Sequence, residues 1–231
     1  MDKFFYDKIF NLFFPAKCGF CENITGNYNY ICSNCEKQKY NEDREHCVLC
    51  GKKIYLEKNI CSNCRERRVY YEKLIFFGEY KEVLKDKIIS YKFNDRSYLY
   101  NFFAELLFPK LVDEKIELIT SVPISRKRMK ERGYNQSELI AKKLSKLLEI
   151  QHKNLLIKKH ETKRQSELSK IERSINVRNS FEIIKNNEIK NKNILLIDDV
   201  FTTGATVNEC SRIIKAAGVN SIKVAVIAVK S

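Results

Sequence analysis

Two adjacent carboxylates, Asp198 and Asp199, follow four apolar residues at 194–197. A turn rich in hydroxyl groups and glycine comes next, and a helical pattern then begins. Backbone N–H groups at the start of a helix bind phosphate, and glycine lets the backbone approach an anion closely. Neighbouring carboxylates can accept hydrogen bonds from a sugar diol and hold Mg²⁺ through water. The segment therefore predicts three partners: a phosphate, vicinal hydroxyl groups and a metal ion.

The turn is the predicted phosphate loop, and it comprises Thr202, Thr203, Gly204, Ala205 and Thr206. It is not a nucleotide P-loop, because no Gly-Lys-Ser/Thr sequence follows the glycine. Residues 194–207 resemble the phosphoribosyl-pyrophosphate (PRPP) signature of type I phosphoribosyltransferases. The resemblance implies that Asp198 and Asp199 bind the ribose hydroxyls and that the loop cradles the 5′-phosphate. Phe201 stands where an aliphatic residue is more usual, and we expect it to be tolerated.

Eight of the nine cysteines form four C-x-x-C pairs, and the pairs repeat. Each half spans 14 residues between the first cysteines of its two pairs, and corresponding cysteines of the halves lie 29 residues apart. This duplication predicts two structural Zn²⁺ ions, each bound by four thiolates. The ligands are Cys18, Cys21, Cys32, Cys35, Cys47, Cys50, Cys61 and Cys64. Sequential use of the pairs is favoured, and an interleaved arrangement stays open. We expect His46 to be a surface residue rather than a ligand.

The composition indicates a folded chain with one large domain or two small ones. Of 231 residues, 44% are hydrophobic and 31% are charged, and no long uncharged apolar span predicts a transmembrane helix. Residues 1–14 are Phe-rich but interrupted by charges, which predicts a short amphipathic helix rather than a signal peptide. We therefore expect a cytoplasmic, reducing setting, in which cysteine pairs bind metal rather than form disulfides.

The formal net charge of +14 favours a polyanionic partner. The excess is uneven, since residues 72–231 hold 31 Lys and Arg against 20 Asp and Glu. A Lys-rich composition also produces an ordinary solvated surface. Both interpretations stay open at this point.

Apolar patterns alternate between strand-like and helix-like along residues 71–231, which predicts an α/β domain with a parallel sheet flanked by helices. Strands are expected at 71–80, 117–122, 155–158, 181–184, 193–197 and 221–229. Helices are expected at 81–111, with a break at 92–95, at 137–148 and at 207–217. A basic loop is expected at 123–136, and a polar segment covers 160–180.

Two further segments resemble signatures of the ComF competence-protein family. One is Val-Pro-Ile-Ser at 122–125 with the Arg-Gly-Tyr-Asn-Gln sequence at 132–136, and the other runs from Thr162 to Leu168 and on to Phe181. The resemblance covers nearly the whole chain. It implies an N-terminal double zinc ribbon at residues 1–70 and a type I phosphoribosyltransferase-like domain at residues 71–231. In bacteria, members of that family are linked to DNA uptake and natural transformation.

The resemblance also implies roles for the basic residues. The pyrophosphate that leaves PRPP during transfer must be stabilised by dense positive charge and by backbone hydrogen-bond donors. The pyrophosphate site is expected at Ser125, Arg126, Lys127 and Arg128, with Arg126 and Arg128 preferred. Arg132, Asn135 and Gln136 either contribute to the site or cap the following helix. Segment 160–180 stands in the place of the fold's flexible catalytic loop. Its Arg164, Gln165 and Arg173 are candidates to reach the phosphates or an incoming DNA strand.

The sequence leaves three functions open. The first is a competence-type factor that binds PRPP–Mg²⁺ and single-stranded DNA, with a protein of the competence machinery as a further partner. The second is an active phosphoribosyltransferase with an unidentified nitrogen acceptor. The third is a PRPP-sensing adaptor without catalysis. We rank them in that order.

Overall fold

The computed structural model describes residues 15–25, 30–36, 46–54, 59–93, 96–159, 180–184 and 187–230. Its strands are β1 (Lys73–Glu79), β2 (Leu118–Ser121), β3 (Leu156–Lys158), β4 (Phe181–Ile183), β5 (Asn193–Phe201) and β6 (Ser221–Val229). The central sheet has the order β1-β6-β5-β2, and every neighbouring pair in it is parallel. The predicted α/β class with a parallel sheet is confirmed.

Helices cover both faces of this sheet. The helices of the described residues are α1 (Ser33–Glu36), α2 (Ser62–Arg65), α3 (Glu82–Phe93), α4 (Leu99–Leu107), α5 (Arg126–Arg132), α6 (Gln136–Leu148) and α7 (Ala205–Ala216). Those that pack on the sheet are α3, α4 and α6 on one face and α7 on the other. Short 3₁₀ turns occupy Phe108–Lys110 and Asn187–Ile189. Alternate residues of each strand point to opposite faces. Leu195 therefore packs in the cluster with α3, α4 and α6, whereas Leu196 packs in the cluster with α7 and the β3–β4 pair.

The strands β3 and β4 do not join the central sheet as the sequence pattern suggested. They form a separate antiparallel pair. The chain reaches the β2 edge before β3, where His152 bridges to Ile119. The N–H of Leu155 then donates to the side-chain hydroxyl of Thr120 at 3.2 Å instead of to a backbone carbonyl. The backbone ladder ends there, and β3 becomes available to β4.

The predicted basic loop at 123–136 is largely a helix. Ser125 is the N-cap of α5 and accepts a hydrogen bond from the Arg128 N–H at 3.3 Å. The helix ends at Gly133, whose φ of 75° is the left-handed conformation that glycine adopts without strain. The sequence therefore contains both a helix start and a helix stop. The many positive charges between them leave no apolar pattern that would predict a helix.

Strand β5 is longer than predicted. Pairing with β6 continues through Phe201, which lies opposite Val229. The two aspartates therefore lie within the last part of the strand rather than after it. The start of α7 at Ala205 leaves only three residues, 202–204, between strand and helix.

The two zinc ribbons pack directly on the sheet domain. In the first ribbon (the described parts of residues 15–36), Phe20 contacts Phe102 edge-to-face at 4.8 Å between ring centroids. In the second ribbon (the described parts of residues 46–65), the carbonyl of Leu49 accepts a hydrogen bond from the Tyr71 hydroxyl at 2.6 Å. The Leu74 N–H donates to the carbonyl of Val48 at 2.8 Å. Each ribbon thus shares packing and hydrogen bonds with the larger part of the chain.

None of the helices in the described ranges is long and apolar enough to cross a membrane. The amphipathic helix predicted at residues 1–14 lies outside the described residues.

Candidate functional site

A cleft of about 370 Å³ opens where β2 and β5 end, which is where α/β sheets place their ligands. Its walls come from the ends of these two strands, from α3, α5 and α6, and from the phosphate loop. The polar residues that line it are Tyr80, Lys92, Arg128, Arg132, Ser137, Lys158, Asp198, Asp199, Thr202, Thr206 and Lys230. The cleft therefore combines two carboxylates with five cations and several hydroxyl groups.

The two carboxylates are held by different elements. Asp198 accepts hydrogen bonds from the Ser137 hydroxyl at 3.0 Å and from the Asp199 N–H at 2.9 Å. Asp199 pairs with the ammonium group of Lys92 at 2.8 Å. Burial and the neighbouring Asp199 raise the pKa of Asp198 well above its ordinary value, despite the opposing effects of Lys92 and Ser137. A bound cation or hydroxyl donor would relieve this repulsion.

The phosphate loop divides between two surfaces. Thr202, Gly204, Ala205 and Thr206 line the cleft, whereas Thr203 lines a groove on the opposite side of the loop. Gly204 is the N-cap of α7 and has a φ of 75°. A Cβ atom at this position would lie 2.4 Å from the buried ring of Phe201. The aromatic residue expected only to be tolerated therefore packs directly under the glycine and supports the loop.

The basic residues of α5 separate into two groups. Arg128 and Arg132 line the cleft, whereas Arg126 and Lys127 are exposed and do not. The guanidinium carbon of Arg132 lies 4.8 Å from the ring centroid of Phe93. Burial lowers the pKa of Arg132, and the nearby Asp199 opposes that shift. The pyrophosphate role of residues 125–128 stays a prediction, and the positions of Arg128 and Arg132 make these two the better candidates.

The Arg-Gly-Tyr-Asn-Gln sequence connects helices α5 and α6. The Asn135 side chain accepts from the Ser137 N–H at 3.1 Å and donates to the Val122 carbonyl at 3.0 Å, so it caps α6 and ties it to β2. Gln136 accepts from the Arg132 guanidinium at 3.0 Å. The hydroxyl of Tyr134 donates to the carbonyl of Tyr91 in α3. The geometry favours the capping interpretation of Asn135.

Several lining residues were missed from the sequence. The sequence pattern marks Lys92 and Phe93 only as part of a helix break, and Ser137 only as the first residue of a helix. Lys158 and Lys230 carried no recognisable signal, because they reach the cleft through tertiary packing alone. Three predicted residues, Arg164, Gln165 and Arg173, lie outside the described residues.

The eight paired cysteines form two compact clusters. Cys18, Cys21, Cys32 and Cys35 form one, and Cys47, Cys50, Cys61 and Cys64 form the other, with the ligand atoms of each cluster within 4.8 Å of one another. The sequential pairing is thus the one that the fold adopts, and each cluster fits one tetrahedral Zn²⁺.

Local hydrogen bonds already favour thiolate at one sulfur of each cluster. Burial opposes ionisation of Cys18 and Cys47, but surrounding backbone N–H groups lower the pKa of both thiols. His46 is not in either cluster and instead packs edge-to-face on Phe76, with centroids 5.4 Å apart. The ninth cysteine, Cys210, is fully buried in α7.

Comparisons with known proteins agree with this architecture. The profile of the double zinc ribbon domain matches residues 9–65, and that of the phosphoribosyl transferase domain matches residues 135–231. Competence protein F of Haemophilus influenzae is 33% identical over 92% of this chain and 96% of its own length. The chain belongs to the competence protein F (ComF) family.

Two other relatives extend the ComF comparison. Competence protein ComFC of Bacillus subtilis is 28% identical over 83% of this chain and 82% of its own length. DNA utilization protein YhgH of Escherichia coli is 27% identical over 91% of this chain and 95% of its own length. These matches span both the ribbons and the sheet domain.

Proposed function

We propose that this ComF-family protein binds PRPP with Mg²⁺ in the cleft and handles single-stranded DNA during DNA uptake. The observation that carries the proposal is the meeting of Asp198, Asp199 and the phosphate loop in one cleft with Arg128 and Arg132. The names of the relatives, competence protein and DNA utilization protein, support the cellular role. We propose residues 1–70 as the double-ribbon module and residues 71–231 as the PRPP-binding domain.

The donors in the cleft fit the parts of PRPP. The carboxylates of Asp198 and Asp199 are acceptors for the vicinal ribose hydroxyls. The backbone N–H groups at the start of the 12-residue helix α7, with the hydroxyl groups of Thr202 and Thr206, suit the 5′-phosphate. The guanidinium groups of Arg128 and Arg132 would then hold the pyrophosphate. Mg²⁺ would neutralise the charge of the pyrophosphate, and the two aspartates are the residues that would hold it through water.

Lys92 has a distinct part in this arrangement. Its ammonium group forms the ion pair with Asp199 at 2.8 Å, and both side chains are largely buried. It therefore keeps one of the two adjacent carboxylates paired before any ligand arrives. When PRPP binds, this cation also adds to the positive charge that faces the phosphates.

One observation favours phosphoribosyl transfer as a second candidate function. Ile89 and Phe93 line the cleft, and their side chains are 37% and 66% exposed. Exposed apolar surface beside a PRPP site would suit the flat face of a nitrogen base. Release of pyrophosphate on addition of an acceptor would establish this function. PRPP binding without release, in a protein that does not bind DNA, would indicate a sensing adaptor.

Titration calorimetry of the zinc-loaded protein with PRPP–Mg²⁺ tests the proposal. The double variant Asp198→Asn with Asp199→Asn should lose measurable binding, because both ribose acceptors are weakened. The matched control is Asp86→Asn with Asp113→Asn, which alters two exposed aspartates outside the cleft. Circular dichroism of all three proteins checks the fold. PRPP affinity equal to wild type in the 198/199 variant would remove the cleft as the PRPP site.

A further inference from the structure

A second concave surface lies between the second zinc ribbon and the phosphate loop. This ribbon groove has a volume of about 350 Å³. One wall consists of the zinc ligands Cys50 and Cys64 and the residues around them, and the other consists of residues 201–205, Asn208 and Lys230. Five residues of the groove, Phe201, Thr202, Gly204, Ala205 and Lys230, also line the PRPP cleft. The phosphate loop therefore separates the two cavities and contributes to the surface of both.

The ribbon groove is strongly cationic. Lys52, Arg67, Arg68 and Lys230 line it and are exposed, and no Asp or Glu is among its lining residues in the described part of the chain. A Zn²⁺ ion with four thiolates carries a charge of −2, so the four cations still leave about +2 around the groove. A concave surface with this excess concentrates anions near it.

Hydrogen bonds fix the two walls relative to each other. The Arg67 guanidinium donates to the carbonyl of Thr203 at 3.0 Å. The Asn208 side chain accepts from the Tyr70 N–H at 2.9 Å and donates to the Arg68 carbonyl at 3.0 Å. Since a guanidinium carries five N–H donors, Arg67 retains donors for a ligand after this contact. The groove is therefore preformed, which lowers the entropic cost of binding.

We propose that the ribbon groove binds the sugar–phosphate backbone of single-stranded DNA and places it beside the PRPP cleft. The inference rests on the proposed function, because it names the surface at which the proposed binding of DNA takes place. Cations on both walls match the negative charge of a sugar–phosphate backbone. We expect a single strand rather than a duplex to enter the groove, because a stiff duplex cannot follow a cavity of about 350 Å³. Arg68 lines the groove and lies 5.2 Å from the centroid of the Tyr70 ring, so an aromatic side chain borders the groove.

The test measures the fluorescence anisotropy of a labelled oligothymidine as zinc-loaded full-length protein is added. The groove variant is Lys52→Ala with Arg68→Ala, because both residues line the groove and neither lines the PRPP cleft. The matched control, Lys110→Ala with Lys115→Ala, removes two exposed lysines that line neither cavity. Zinc content and PRPP calorimetry of each variant show that the ribbon and the cleft are intact.

Loss of two phosphate contacts should reduce the slope of log K against log salt by about 1.4, and affinity at 0.1 M salt by about 25-fold. The control should stay close to wild type, and PRPP affinity should not change in either variant. Equal losses in the groove and control variants would overturn the proposal, as would equal affinity of the wild type for duplex and single strand. Wild type that binds PRPP but no oligothymidine would also overturn it, while the cleft assignment would stand on its own calorimetric test.

Discussion

Substitution of Gly204 by alanine gives the sharpest test of how the phosphate loop is supported. Two independent penalties act at this position. The φ of 75° is disfavoured for any residue with a Cβ atom. The new methyl group would also lie 2.4 Å from Cζ and 2.8 Å from Cε2 of Phe201, whose ring is buried and cannot swing into solvent. We therefore expect a loss of stability together with a displaced loop and weaker PRPP binding.

The two penalties can be estimated separately. The left-handed conformation costs about 1–2 kcal/mol for a non-glycine residue. Overpacking of a buried site typically costs about 1–3 kcal/mol. Gly204→Ala should therefore lower the free energy of unfolding by about 2–5 kcal/mol.

A double-mutant cycle with Phe201→Leu separates the two terms. The shorter leucine removes the ring atoms that the methyl group would meet, and its own cost should stay below the roughly 3–5 kcal/mol of a complete Phe→Ala truncation. The double variant should therefore be more stable than the sum of the single effects predicts, by about 1–3 kcal/mol. The conformational penalty should remain, because leucine does not change the backbone at residue 204.

The assay is denaturant unfolding of the three variants and the wild type at constant free Zn²⁺, with PRPP calorimetry on the same samples. Distant independent sites add within about 0.5 kcal/mol. If the Gly204 and Phe201 substitutions were additive within that margin, the ring would not be the support of the loop, and the reasoning from their contact would fail.

Two further predictions concern the metal and the pH dependence. Chelation of zinc under reducing conditions should abolish hydrogen-exchange protection at residues 16–66 and spare β5 and β6, because each structural site contributes about 10–16 kcal/mol in small zinc modules; unchanged protection of the ribbons would contradict this. The carboxylate of Glu114 pairs with Lys73 and with Lys223, and although burial raises the pKa of Glu114, these ion pairs lower it overall. Its stabilisation is present above the ordinary pKa of about 4.5 and is lost as pH falls through the lowered value. Glu114→Gln should therefore be less stable than wild type at pH 7, with the difference shrinking below pH 4 in thermal unfolding; a difference independent of pH would argue against the ion pairs.

Local patterns were sufficient for the parts of the fold that obey short-range rules. The spacing of the cysteines predicted two four-thiolate clusters, and the cluster geometry confirms them. Apolar runs predicted the strands of the central sheet, because a strand buried on both faces has few other residue choices. The sequence pattern does not predict helix α5, because five of its seven residues are Lys or Arg and leave it without an apolar face.

The cleft shows what local patterns cannot provide. Asp198, Asp199 and the phosphate loop are contiguous in sequence, so their proximity was predictable. Lys92 and Ser137 lie at the ends of different helices, and only the packing of α3 and α6 on the sheet brings them to the aspartates. The hydrogen bonds of Tyr134 and Asn135 position those helix ends. A sequence motif that was open to a role in the site or to a capping role thus supports residues that no motif marked.

The contacts between the second ribbon and the phosphate loop bear on the role of zinc. Arg67 bonds to the carbonyl of Thr203, and Asn208 is bonded to the backbone of both Arg68 and Tyr70. Arg67 and Arg68 follow α2, which carries the zinc ligand Cys64, by only a few residues. Loss of metal from this ribbon would release those contacts and one wall of the ribbon groove. The second ribbon therefore supports the phosphate loop through these hydrogen bonds. Zinc removal should weaken PRPP binding even where the sheet itself stays folded.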